Sequence, residues 1–209
     1  MKKSIFLIIA LLLIITGCST SSSGVSLLSE SGAKRIARRF GSSTYNGIIE
    51  SSSDKIVYSF TDELGFDYQV VSTKKSISVD GSSFGYTSRN STDYGIKYYE
   101  YLIDTLSSKV NNIENEYNVR IGNDDGWRSI KSALYETDRR VRNCSPTDYA
   151  FYSVYSSSIN DSKKAGEELK NIIKEYDKKG YFENCAIWLR DDELNYNNVY
   201  ARKDLIILK

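Results

Sequence analysis

The 209-residue chain contains no histidine, and that absence removes more chemistry than any other feature of its composition. Histidine is the side chain that changes charge near neutral pH and is the commonest metal ligand. Without it there is no Ser–His–Asp or Cys–His nucleophile system and no zinc site that needs an imidazole. Catalysis would have to run on carboxylates, tyrosine or a Ser–Lys pair. Neither the G-x-G-x-x-G fingerprint nor a G-K-[ST] phosphate loop is present. The S-x-x-K at Ser72-Thr73-Lys74-Lys75 falls in an expected β-hairpin, not at the helix start that a Ser–Lys nucleophile needs. No cofactor and no metal centre are expected.

A large excess of charge is missing too. The formal net charge is +1, and 26% of residues are charged. A general nucleic-acid binder needs a marked basic excess, so nucleic acid is excluded as a partner. No apolar run is long enough to cross a bilayer, which takes roughly 20 residues. The longest run, Ile5 to Ile15, comes after Lys2 and Lys3 and has the layout of a secretory signal. No A-x-A cleavage site accompanies it; the only alanine of the run, Ala10, lies in its middle.

The run closes on Ile15-Thr16-Gly17-Cys18, and a serine-rich stretch comes next. This resembles the lipobox of bacterial lipoprotein precursors: a branched residue, a small residue, Gly or Ala, then Cys. The resemblance implies a signal peptide over residues 1–17, lipid on Cys18, and residence on the extracytoplasmic face of the cell membrane. Two acyl chains make a stable anchor where one is marginal. Residues 18–27 then form the lipidated cysteine and a Ser-rich linker, leaving 28–209 as a single α+β domain or two subdomains dividing near residue 122. Loss of Lys2 and Lys3 changes the formal charge from +1 to −1.

With Cys18 committed to lipid, Cys144 and Cys185 remain for a disulfide, which an oxidising compartment permits. Closing a loop of about 40 residues would stabilise the fold by roughly 4 kcal/mol. Two separate thiols are the alternative. The 17 tyrosines offer apolar bodies with polar tips, a type favoured on binding surfaces, although base composition alone accounts for such a count.

Periodicity predicts the elements. Ala33, Ile36, Ala37 and Phe40 mark a helix over Ser31–Phe40 capped by Gly41. Its other face carries Lys34, Arg35, Arg38 and Arg39, candidates for contact with an anionic surface near the anchor. Strands are expected over Tyr45–Glu50 and Lys55–Thr61, with a turn at Asp62-Glu63-Leu64-Gly65 and a further strand carrying Phe66, Tyr68 and Val70. Phe84 and Tyr86 suggest one more short strand. A long helix over Thr92–Tyr117 is expected to cover the sheet, its cluster Tyr94, Tyr98, Tyr99 and Tyr101 serving as core or as ligand platform. A short strand, a helix on Trp127 to Val141, a strand over Tyr149–Ser156, a helix over Ser162–Lys179 and two strands complete the chain. The fold class is therefore α+β, with antiparallel sheets covered by three to four helices.

The expected function is non-catalytic: an anchored binding or interaction protein, of immunity type in its sharpest version, whose partner is a protein or wall polymer. The alternatives are a histidine-free carboxylate hydrolase acting on cell-wall material and a transporter-associated ligand-binding lipoprotein.

Overall fold

A computed structural model describes residues 25–80, 82–123, 149–190 and 202–208. In chain order they form α1 (Glu30–Ala37), β1 (Ser43–Ser51), β2 (Lys55–Asp62), β3 (Asp67–Val79), β4 (Ser82–Thr92), α2 (Tyr94–Tyr117), β5 (Arg120–Gly122), β6 (Ala150–Tyr155), α3 (Ile159–Tyr176), β7 (Ala186–Arg190) and β8 (Arg202–Ile207). The strands make two four-stranded sheets, ordered β1-β2-β3-β4 and β5-β6-β7-β8. This corrects the expectation of antiparallel sheets under three to four helices. The second sheet is mixed, because β6 and β7 run parallel, and the described residues hold three helices. The physical reason is α3: parallel neighbours need a crossover connection, and α3 supplies it between β6 and β7. The helix expected on Trp127 to Val141 lies outside the described residues.

The first sheet is an antiparallel meander whose inner face obeys the alternation of its sequence. Tyr58 and Phe60 of β2 and Tyr68 and Val70 of β3 are buried. Asp62 is buried on the same face, an acid at the end of an apolar row. The long helix covers less of this face than its length suggested. Only its first turns reach the sheet, where Tyr94 stacks on Phe40 with centroids 4.2 Å apart and meets Tyr68 edge-on at 4.8 Å. The rest of α2 packs mainly on α3. The short α1 covers the remainder, burying Ala33 and Ala37. It starts at the N-cap Ser29, whose hydroxyl accepts from Gly32 N at 3.2 Å. It ends at Arg38, with the left-handed Gly41 three residues later rather than as its cap.

The second sheet is covered by α3 through Ala165, Gly166, Leu169 and Ile173. The Ser158 hydroxyl opens this helix by accepting from Asp161 N at 3.3 Å. The helix stops at Tyr176, short of the expected Lys179. Asp177 bends the chain, because its carboxylate accepts from Tyr181 N at 3.1 Å and Phe182 N at 2.8 Å. One aromatic core runs through both layers, from Phe60 and Tyr68 by way of Tyr94 and Tyr98 to Phe182 and Phe151. Tyr94, Tyr98 and Tyr99 are fully buried and belong to that core.

Candidate functional site

The densest polar cluster sits where the two sheets meet. The Asp62 side chain is 0% exposed and that of Lys179 13%. Lys179 Nζ donates to Asp62 Oδ2 at 3.0 Å and to the Phe40 carbonyl at 2.8 Å. Tyr94 OH donates to the same Asp62 oxygen at 3.0 Å, and Leu64 N to Oδ1 at 3.0 Å. Nearby, Tyr98 OH donates to Asp177 Oδ1 at 2.8 Å. Burial, reinforced by these carboxylates, pushes both phenols far above the ordinary tyrosine range. Both phenols are therefore held as neutral donors. The cluster fastens the first sheet to the α3–β7 turn.

A cleft of about 440 Å³ lies beside it, between the β2–β3 hairpin and the opening turns of α2. The apolar wall is Phe66 and Tyr101; the polar lining includes Asp67, Asp93, Glu100 and Asp104 against the single lysine Lys97. Lys97 is paired with Glu100 at 2.8 Å. Asp67 Oδ1 accepts from Thr61 Oγ1 at 2.5 Å, and Asp93 Oδ1 from Gln69 N at 2.6 Å. Asp93 therefore extends the pairing of β4 with β3 by one residue before the helix starts. Burial raises its pKa above the ordinary 3.8, against the opposing pull of the Gln69 N–H. The arrangement favours a cation: its charge is mostly negative, and two aromatic faces stand within it.

The raised Asp93 pKa has a testable sign. The folded state holds this proton more tightly than the unfolded chain, so ionisation costs stability as pH rises past the ordinary value of 3.8. Asp93→Asn keeps an acceptor for Gln69 N and removes the half-buried charge. Urea midpoints are expected to match or exceed wild type at neutral pH. Well below the ordinary value, where both side chains are uncharged, that advantage disappears.

Among residues singled out in the sequence, Cys18 and Cys144 lie outside the described residues. Cys185 is fully buried before β7, its carbonyl accepting from Leu208 N at 3.0 Å. Lys34 is tied down by Glu30 at 2.5 Å and lies over the Tyr45 ring at 4.4 Å. Arg35 is exposed on α1, and Arg38 and Arg39 are exposed in the turn that follows it. Ser72 is buried and accepts from Leu28 N at 3.1 Å, a structural role. Sequence reasoning missed one motif: Gly81-Ser82-Ser83-Phe84-Gly85 has G-x-S-x-G spacing. It falls at the β3–β4 hairpin, whereas a nucleophile elbow needs a strand-to-helix turn. It also missed the cleft, because the acids there come from β3 and α2 and converge only on folding. No group of three His, Cys, Asp or Glu able to hold a metal occurs among the described residues.

No known protein family, no curated protein and no solved structure matches this chain. Its function rests on the chemistry of the site. No helix among the described residues is long and apolar enough to cross a membrane.

Proposed function

We propose that the chain is a lipid-anchored extracytoplasmic binding protein whose cleft receives a basic segment of a partner protein. The anchor comes from the likeness of residues 15–18 to a lipobox. The observation that carries the binding role is the cleft lining, four carboxylates against one lysine beside Phe66 and Tyr101. Its volume suits a side chain or short peptide segment, since ligand pockets span roughly 300–1,000 Å³. Lysine and arginine gain both from the carboxylates and from the aromatic faces. The full protein in detergent, titrated with a lysine- and arginine-rich decapeptide, is expected to bind it in a salt-sensitive way. Asp67→Asn with Asp104→Asn should weaken that binding about tenfold, equivalent to about 1.4 kcal/mol. Equal binding of an acidic decapeptide, or an unchanged Kd in the double variant, would sink the proposal.

A second reading, a carboxylate hydrolase, has one observation in its favour. Asp93 is a half-buried acid with a raised pKa in a cleft that also holds Asp67 and Asp104. A general acid beside an ionised carboxylate is the arrangement glycoside hydrolysis uses. Asp93 is a poor candidate, because its Oδ1 is occupied by Gln69 N in the sheet edge. Release of reducing sugar from wall glycan, abolished by Asp93→Asn, would favour this reading over the first.

A further inference from the structure

The β3–β4 hairpin outruns its sheet. Pairing between β2 and β3 ends at Lys55 and Thr73, whereas β3 and β4 stay paired as far as Val79 and Ser82. Lys74 to Val79 and their partners therefore form a two-stranded arm extending about 20 Å beyond the sheet, at about 3.4 Å per residue. Its surface is solvent-facing: Ile77 is 46% and Tyr86 56% exposed. Lys75 and Arg89 are exposed, and Lys74 Nζ lies over the Tyr86 ring at 4.8 Å. Two cations of the arm, with Arg89 at its base opposite Thr73, thus stand against one acid, Asp80, at the turn.

The chain also enters the fold at the base of this arm. Leu28 N donates to Ser72 Oγ at 3.1 Å, and Tyr58 OH donates to the Leu28 carbonyl at 2.6 Å. Ser72 is the last residue of β3 but one that still pairs with β2. A flexible coil with the length and composition of Cys18 to Leu28, eleven residues, would have a root-mean-square reach of about 17 Å. Tether and arm start from one place and span similar distances.

We infer that the β3–β4 arm rests on the membrane through the face that carries Lys75 and Ile77, with Arg89 on the same face at its base, the cations on anionic lipid headgroups and Ile77 at the interface. Each nearby cation strengthens attraction to anionic lipid about fivefold. The inference rests on the anchor reading for its geometry. It differs from a role for α1 and the turn after it, where Arg38 and Arg39 lie at the opposite end of the sheet, beside the Asp62 hairpin. Contact through the arm would hold the body at a fixed tilt.

The full chain, reconstituted in phosphatidylcholine vesicles with and without phosphatidylglycerol, tests this by brief acetylation and mass spectrometry. Lys75 is expected to be acetylated at least fivefold more slowly on the anionic vesicles, and more slowly than Lys74 on the arm's other face, while exposed Lys174 on α3 is unchanged. Arg89→Gln with Ile77→Ser should reduce that protection. Equal labelling on both vesicles would overturn the inference. So would protection of Lys34 exceeding that of the arm, which would assign the contact to α1. The same spectra report the mass on Cys18: a bare thiol sinks the anchor reading, while the protection pattern still decides the arm.

Discussion

Lys179→Met is expected to lower folding stability by about 3 kcal/mol, because it strands the Asp62 carboxylate where the side chain is 0% exposed. The size reflects the partners that remain. Tyr94 OH and Leu64 N still donate to Asp62, but no cation faces it. A surface ion pair of the same length would contribute only about 0–1 kcal/mol, so the magnitude separates the two cases. Typical domains hold about 5–15 kcal/mol in total, and the variant should melt many degrees lower. Adding Asp62→Asn to Lys179→Met removes the stranded charge and should recover much of the loss. Urea unfolding with an unchanged slope is the measurement. A loss under about 1 kcal/mol for Lys179→Met, or no recovery in the double variant, would show that the junction is not held by this pair.

The result bears on function because Lys179 and Asp62 join parts of the chain 117 residues apart. Lys179 comes after α3, whose far side covers the second sheet, while Asp62 ends the hairpin that also forms a wall of the acidic cleft. Breaking the pair should loosen the cleft without touching its lining. The full protein should then bind the basic peptide more weakly in proportion to its stability loss. The Asp67 and Asp104 variants, by contrast, should weaken binding with little change in melting.

The legible part of the fold was whatever one element encodes by itself. Alternation put Tyr58 and Phe60 on the inner face of β2, and three- and four-residue spacing put Ala165, Leu169 and Ile173 on the buried face of α3. The parallel pairing of β6 with β7 was illegible, since a strand's own pattern does not state the direction of its neighbour. The length of β4 was hidden for another reason. Thr87-Ser88-Arg89-Asn90-Ser91-Thr92 has no apolar alternation, because that stretch is largely exposed and its order comes from backbone pairing with β3. Asp62 read as an ordinary turn acid and Lys179 as the last helical residue. Their shared role is set by distance in space, as is the convergence of Asp67, Asp93 and Asp104 on one cleft. The entering chain meets the base of the exposed arm through the bond from Leu28 N to Ser72.

Gly166→Leu is expected to cost about 3 kcal/mol, and Gly166→Ala almost nothing. Gly166 lies on the buried face of α3, directly over the second sheet. A Cβ there would come within 2.6 Å of Ile206 Cδ1 and 3.2 Å of Leu189 Cδ2. The nearer atom is the end of a flexible side chain, so a methyl group can displace it by a rotamer change. The alanine gains about 1 kcal/mol of helix propensity over glycine, which offsets that adjustment. Leucine is different. Its branch must enter space already filled by Ile187, Leu189 and Ile206, and the helix would have to lift from the sheet. Lifting α3 moves the turn at Asp177 and with it Lys179, so the loss should be greater in wild type than in the Lys179→Met, Asp62→Asn background. Thermal melts of the four combinations measure this coupling. Equal costs for alanine and leucine would mean that α3 does not approach the sheet this closely, and additive losses would uncouple the helix seat from the ion pair.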